Sequence, residues 1–119
     1  MKPVVTAVIQ VLRGVLGVLL ARHADICVQF YDPVDLVACA DYREYVQHPI
    51  CLKDIEEKNE QGKFSAIDEF EDDLNLLHAN CVSYCANRFD SIIEDCTNMM
   101  KVTTVYLCTS RFMINPISL

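Results

Sequence analysis

Apolar side chains recur every three or four residues along one stretch in the second half of the chain. They are Ile67, Phe70, Leu74, Leu77, Cys81 and Tyr84. Because an α-helix has about 3.6 residues per turn, this spacing places all of them on one face of a helix. A helix with such a continuous apolar face must bury it against other elements. The stretch therefore predicts a helix over residues 65–85 inside a helical core.

The overall composition also favours helices. The chain has 119 residues, of which 52% are hydrophobic, and it contains three glycines and four prolines. A small all-β fold needs more turn residues than this, and a chain of this length can bury one core of modest size. The sequence therefore predicts a single all-α domain over residues 1–119. Its predicted helices span residues 4–22, 50–61, 65–85 and 90–112, with a long loop over residues 24–49.

The first predicted helix is apolar enough to raise an alternative, a signal peptide or membrane segment within residues 1–21. Arg13 lies near its middle, and a charge there costs about 2.5 to 3.5 kcal/mol on membrane-insertion scales. A buried amphipathic helix is therefore the favoured interpretation, and the membrane alternative stays open. Gly14 and Gly17 each weaken a helix by about 1 kcal/mol. They are expected to allow close packing of a neighbouring helix.

The start of the third predicted helix carries the clearest local signal. Ser65 is expected to be its N-cap, with Asp68 as the acid of a capping box. The preceding loop over residues 24–49 contains Pro33 and Pro49 and lacks a helical period. Since the loop also holds several large apolar residues, it is expected to fold back onto the bundle.

Cysteine usage and charge limit the compartment and the partners. The seven cysteines are an odd number at no repeating spacing, which predicts free thiols in a reducing compartment. The net charge is −7, and residues 41–95 hold 14 acidic and 5 basic side chains, a balance of −9. This acidity argues against direct binding of nucleic acid. It is typical of a solvated helix face, and it would also attract a basic peptide.

Two other kinds of site are poorly supported by the sequence. A nucleophilic Cys81 or Cys85 would need His78 as a base, but residues 78 and 85 of one helix are about 10.5 Å apart along its axis. His78, Cys81 and Cys85 share one helix face, yet no fourth ligand for a structural zinc ion is indicated. We therefore expect no enzymatic activity, no metal and no cofactor.

Several short motifs follow one another in a defined order. They are Phe30, Pro33-Val34-Asp35, Asp41-Tyr42, Pro49-Ile50-Cys51-Leu52, Gly62-Lys63-Phe64-Ser65, Phe70, Asp73, and Asn80-Cys81 followed by Tyr84. In order and spacing they resemble a bromodomain, and the resemblance covers nearly the whole chain. It implies a left-handed four-helix bundle with a long structured loop between helices 1 and 2.

The resemblance also implies a function, the recognition of acetyl-lysine. Phe30 would form part of an aromatic shelf, Val34 and Val37 one wall, and Ile92 the gatekeeper position. Tyr42 would hold a water molecule against the acetyl carbonyl, with Tyr84 in the motif that normally precedes the binding asparagine. The implied partners are acetylated histone tails or other acetylated proteins, together with subunits of chromatin complexes. The implied location is the nucleus, with no membrane partner.

The sequence departs from the family at the position that matters most for binding. After Tyr84 it has Cys85 where the family has the asparagine that donates to the acetyl oxygen. A thiol is a weak donor, so a facing carbonyl loses about 1 to 3 kcal/mol. Asn87 could supply an amide instead, or could be a turn residue. The chain is then either a weak or atypical acetyl-lysine reader, or a scaffold that has lost reading and binds proteins in another way.

The shelf region departs from the family as well. Val28-Gln29 replaces the usual Trp-Pro pair, and the stretch over residues 36–40 is about two residues short. Small residues, Cys39 and Ala40, stand where larger apolar groups are usual. The pocket is therefore expected to differ in width and shape from that of other members.

Overall fold

Four helices form the body of the protein, and three short helical segments lie between the first and the second of them. The structure is a computed structural model that describes residues 3–114, with side chains for residues 6–111. In chain order the elements are α1 (Pro3–Arg22), α2 (Ala24–Cys27), a 3-10 helix (Val28–Phe30), α3 (Tyr42–Tyr45), α4 (Leu52–Glu60), α5 (Ile67–Cys85) and α6 (Asp90–Ile114). Every regular element between residues 3 and 114 is helical, so the predicted all-α fold is confirmed. Residues 1–2 and 115–119 of the predicted domain lie outside the described part.

The long loop contains more helix than the sequence indicated. Within it, the amide of Cys27 donates to the carbonyl of His23 at 2.9 Å, and that of Val46 donates to Tyr42 at 3.0 Å. These local bonds satisfy backbone groups that a buried irregular segment would leave unpaired. Ile26 and Phe30 pack against the core as expected. The expected burial is wrong for Val28, Leu36 and Val37, which are 63%, 45% and 92% exposed because the local turns of the loop direct them outward.

The core lies between α1, α4, α5 and α6. All six residues of the predicted α5 stripe are buried, which confirms the helical interpretation. Phe70 from this stripe packs edge to face against Phe64, with ring centroids 5.8 Å apart. The side chains that are no more than 2% exposed include Val8, Leu12, Leu16, Leu19, Leu52, Ile55, Phe64, Phe70, Leu74, Met99 and Leu107.

The apolar face of α1 is covered by the other helices, whereas its glycines face outward. A Cβ atom at Gly14 or Gly17 would meet no heavy atom within 4 Å, so the expected close packing there is wrong. The glycines lie on the exposed side of the helix, where the Arg13 guanidinium pairs with Glu60 at 2.7 Å. Between residues 3 and 114 no helix has the length and hydropathy that a membrane crossing requires.

The predicted capping of α5 is also wrong in detail. Its N-cap is Ala66, whose backbone is extended and whose side chain cannot cap, so Ser65 stands one residue too early. Ser65 instead bonds Glu69, with its hydroxyl donating to the carboxylate at 2.5 Å. Asp68 pairs with Arg111 of α6 at 2.9 Å. A reciprocal capping arrangement is found at α4, where the amide of Cys51 donates to Asp54 at 3.1 Å.

Side-chain and backbone bonds fix the long loop to the end of the bundle. The buried Asn80 amide donates to the carbonyl of His48 at 2.8 Å and holds the segment that leads into α4. The amide of Lys53 donates to the carbonyl of Tyr31 at 3.0 Å. The Tyr31 hydroxyl donates to Glu56 at 2.8 Å. These bonds fix the long loop against α4 and the C-terminal half of α5.

Leu107→Ala and Val105→Ala form a matched pair on α6. Leu107 is 1% exposed and Val105 is 66% exposed. Loss of the buried leucine should lower the free energy of unfolding by about 2 to 5 kcal/mol, since it leaves a cavity in the core. Val105→Ala, at an exposed position, should change the free energy of unfolding by no more than about 0.5 kcal/mol. Urea unfolding followed by circular dichroism measures both, and equal effects would contradict the packing described for α6.

Candidate functional site

A cavity of about 330 Å³ lies at one end of the bundle. Its walls come from the segment between α2 and α4, from the C-terminal half of α5, and from the loop and first turn that lead into α6. Most of its side chains are apolar or thiols, so it suits a ligand with few hydrogen-bonding groups. The lining residues are Gln29, Phe30, Asp32, Val34, Cys39, Tyr42, Ile50, Cys51, Leu77, Cys81, Tyr84, Cys85, Phe89 and Ile92.

Six of the eight predicted site residues line this cavity. They are Phe30, Val34, Tyr42, Tyr84, Cys85 and Ile92. They are brought together from three separate stretches of chain, because the long loop folds back over the end of α5. Cys85, at which the sequence departs from the bromodomain pattern, therefore faces the cavity.

The other two predicted residues lie elsewhere. Val37 is 92% exposed and is not part of the cavity wall. Its amide donates to the Asp35 carboxylate at 2.8 Å, which closes a local turn that leaves the valine in solvent. Asn87 is exposed, with a φ of 64° in the turn between α5 and α6. It has the left-handed geometry that asparagine tolerates in turns, and it supplies no amide to the cavity wall.

Sequence reasoning did not include several lining residues among the candidates. Leu77 and Cys81 belong to the helical stripe, so their apolar character indicated core rather than cavity. Cys39 and Cys51 carried no distinct signal beyond their small size. Phe89 is 48% exposed at the mouth of the cavity, and a large aromatic residue next to a turn could have suggested a surface role.

Tyr42 is the polar group best placed to meet a ligand. Its side chain is 6% exposed, and its ring packs edge to face on Tyr84 with centroids 4.9 Å apart. Its hydroxyl makes no hydrogen bond to any group in residues 6–111, so it is available to a ligand. Burial raises the pKa of Tyr42, which keeps the hydroxyl protonated and able to donate.

The Tyr84 hydroxyl is already engaged. It donates to Asp41 at 2.7 Å, and the other oxygen of Asp41 accepts from Arg88 at 3.0 Å. The guanidinium of Arg88 lies 4.9 Å from the ring centroid of Tyr84 and 4.7 Å from that of Tyr45. We call Asp41, Tyr45, Tyr84 and Arg88 the rim network. It joins the long loop to the turn before α6 and so fixes two sides of the cavity mouth.

The thiols of Cys81 and Cys85 in the cavity wall are neutral. Burial raises the pKa of Cys85 to about 11, and a hydrogen bond with Cys96 together with burial raises the pKa of Cys81. A thiol in this state is a poor nucleophile at neutral pH. His78 bonds Thr97 at 3.1 Å, and the side chains described show no cluster of three or more groups arranged to hold a metal ion.

A comparison with known families agrees with this geometry. A family model described as Bromodomain matches residues 19–101, which is more than half of the chain and includes every residue of the cavity wall. The chain belongs to the bromodomain family. The family match also includes the whole long loop and Cys85, the places where the sequence departs from the family.

Individual relatives match a shorter stretch. The chain is 40% identical over 57 residues to the SWR1 complex bromodomain subunit bdf1 of Schizosaccharomyces pombe, covering 46% of this chain and 10% of that protein. Tat-binding homolog 7 of Caenorhabditis elegans is 39% identical over 57 residues, covering 48% of this chain and 4% of that protein. The human Bromodomain and PHD finger-containing protein 3 is 35% identical over 57 residues, covering 48% of this chain and 5% of that protein. The matched stretch is thus a small part of each relative.

The rim network predicts an unusual titration of Asp41. The hydrogen bond from Tyr84, then that from Arg88, lowers the pKa of the Asp41 carboxyl. A lowered folded-state pKa stabilises the fold above the ordinary aspartate value of about 3.9, and this contribution is lost as the pH falls through the lowered value. In Tyr84→Phe we expect the pKa of Asp41 to rise toward about 3.9, measured by NMR titration of its carboxyl carbon.

Tyr31→Phe is the matched control for this titration. It removes a tyrosine hydroxyl that donates to a different carboxylate, Glu56. The pKa of Asp41 should be the same in this control as in the unaltered protein. An Asp41 pKa that does not move in Tyr84→Phe would contradict the rim network.

Proposed function

We propose that this bromodomain recognises acetylated lysine in basic protein segments, with lower affinity than members that carry the usual asparagine. The observation that carries the proposal is the buried Tyr42 hydroxyl in a cavity whose other lining groups are mostly apolar. A bromodomain is a binding module, and the neutral thiols of Cys81 and Cys85 are poor nucleophiles. The proposed activity is therefore recognition rather than catalysis.

The chemistry of the cavity suits an acylated lysine and disfavours a free one. A lysine ammonium ion would lose its hydration among the apolar groups of Phe30, Ile50, Leu77 and Ile92. The wall has one carboxylate, that of Asp32, and this residue is exposed to solvent, which screens its charge. Acylation removes the charge and leaves an amide attached to an apolar chain. The carbonyl of that amide can accept a hydrogen bond from Tyr42, directly or through a water molecule.

Cys85 explains why the affinity should be low. A neutral thiol stands where an asparagine NH2 would donate to the acetyl oxygen, and a lost hydrogen bond of this kind costs about 1 to 3 kcal/mol. That corresponds to about 5- to 150-fold in affinity. Asn87, which is exposed in its turn, is not placed to replace the missing donor.

The charge around the cavity favours a basic partner. Asp32 is part of the wall, and three exposed acidic residues lie in the segments that supply the wall: Asp35 in the long loop, Glu44 in α3 and Asp90 at the start of α6. Histone tails are basic and are acetylated, so we propose them, or other acetylated proteins, as partners. Since one of the relatives is named as a subunit of the SWR1 complex, we also propose a nuclear role within a chromatin complex.

Cys85 also favours a second candidate function. A bromodomain without its asparagine could keep the scaffold and serve as a protein-interaction module that no longer distinguishes acetylated lysine. The two functions differ in one measurable quantity, the ratio of the affinities for acetylated and unmodified peptides.

Titration calorimetry with acetylated and unmodified histone-tail peptides of the same sequence tests the proposal. We expect the unaltered protein to prefer the acetylated peptide weakly. Cys85→Asn should raise that preference by about 5- to 150-fold, because it restores the donor. Cys108→Asn, at an exposed position of α6, is the matched control and should leave the preference unchanged.

Each outcome of this titration has one interpretation. If neither the unaltered protein nor Cys85→Asn prefers the acetylated peptide, the reader proposal is wrong. If only Cys85→Asn does, the cavity is intact and the second candidate function is favoured.

Tyr42→Phe tests the residue that carries the proposal. It keeps the ring that packs on Tyr84 and removes only the hydroxyl. We expect the affinity for the acetylated peptide to fall by about tenfold and that for the unmodified peptide to be unchanged. If Tyr42→Phe and the unaltered protein bind the acetylated peptide with equal affinity, the Tyr42 hydroxyl does not contribute to binding and this assignment is wrong.

A further inference from the structure

We propose that the cavity prefers lysines that carry acyl chains longer than acetyl, such as propionyl-lysine and butyryl-lysine. This inference rests on the proposed function, since it concerns the ligand of the same site. Three features of the structure support it: the number of available donors, the space beside Cys85, and the volume and lining of the cavity.

The cavity offers a ligand amide few hydrogen-bond donors. The Tyr84 hydroxyl donates to Asp41, and the Gln29 side-chain amide donates to Asp95 and to the carbonyl of Ile26. Among the buried hydroxyl groups of the wall, only that of Tyr42 has no protein partner within residues 6–111. With a single strong donor for the carbonyl, affinity has to come mainly from apolar contact.

The replacement at position 85 also changes the space available. A cysteine side chain has one heavy atom beyond Cβ, whereas an asparagine side chain has about three, so Cys85 leaves room where an amide would stand. Cys85 is buried and lines the cavity together with Cys81 and Cys39. This room lies next to the position of the acyl group rather than next to the lysine stem, if Tyr42 bonds the carbonyl.

The volume of the cavity is larger than an acetyl group requires. An apolar cavity of about 150 Å³ can hold a molecule of benzene, with about six heavy atoms. By the same proportion, the 330 Å³ of this cavity could hold roughly 13 heavy atoms. An acetyl-lysine side chain has about eight from Cβ onward, and butyryl-lysine about ten. The longer chain therefore fits without displacing the wall.

The lining is suited to additional methylene groups. Four thiols, those of Cys39, Cys51, Cys81 and Cys85, face the cavity beside aliphatic and aromatic groups. Thiols behave as small, polarisable apolar groups and adapt to irregular shapes. Full burial of one methylene group raises affinity by about fourfold, so two would give up to about 15-fold.

Titration calorimetry with one histone-tail peptide, prepared unmodified, acetylated, propionylated and butyrylated at the same lysine, tests this inference. We expect affinity to rise from acetyl to propionyl to butyryl, with butyryl about 3- to 15-fold tighter than acetyl. An acetylated peptide that binds as tightly as the butyrylated one, or more tightly, overturns the inference and leaves the proposed function standing. If no acylated peptide binds more tightly than the unmodified one, the proposed function itself fails.

Two variants test where the preference arises. Cys85→Asn should reduce the ratio of butyryl to acetyl affinity, because the amide fills the room and strengthens the bond to the carbonyl. Cys39→Leu narrows the cavity and should reduce the same ratio without adding a donor. Their controls are Cys108→Asn on the exposed side of α6 and Ala40→Leu, which is exposed next to the cavity loop.

The ratio of butyryl to acetyl affinity should be unchanged in the two controls, Cys108→Asn and Ala40→Leu. Thermal unfolding of each variant shows that it is folded under the conditions of titration, and the comparison of acyl chains on the unaltered protein needs no variant. A ratio that stays at its original value in both Cys85→Asn and Cys39→Leu would overturn the assignment of the preference to this part of the wall.

Discussion

Burial of the apolar stripe of α5 is the constraint on which the rest of the structure depends. Its first residues, Ile67, Phe70 and Leu74, fill the core between the helices, and its last, from Leu77 onward, form the wall of the cavity. One helix therefore supports both the stability of the bundle and the shape of the site. Since interiors are close-packed, the position of the cavity wall follows from the packing of the core.

The long loop closes the site because it is anchored at several points along α4 and α5. Asn80 holds the segment before α4, Tyr31 bonds Glu56, and Asp41 is tied to Tyr84 and Arg88. The rim network is partly exposed, so its ion pair alone would contribute little to stability. Its two tyrosine rings and two hydroxyl bonds add directional contacts that set the distance between the loop and the turn before α6.

Cys85 alters the balance of forces at the site without altering the scaffold. The thiol is buried in the cavity wall, its pKa is raised by burial, and the surrounding helices keep the arrangement of the family. Under the proposed function, the polar contribution to ligand binding would fall, while the apolar surface would remain. A site of this kind would discriminate between ligands by the size and shape of their apolar part rather than by a pair of hydrogen bonds.

The sequence by itself determined the helical class, the extent of α5 and six of the fourteen residues that line the cavity, because helical periodicity and ordered motifs are local properties. It misplaced the cap of α5 and the role of Gly14 and Gly17, since both depend on which side of a helix meets a neighbour. It also included Val37 and Asn87 in the site, whereas local turns direct both toward solvent.

The tertiary structure alone decided that the Tyr84 hydroxyl is engaged by Asp41 while that of Tyr42 is available. Hydrogen bonds between residues more than 40 positions apart depend on how the helices and the loop pack, and no local pattern in the sequence encodes that packing.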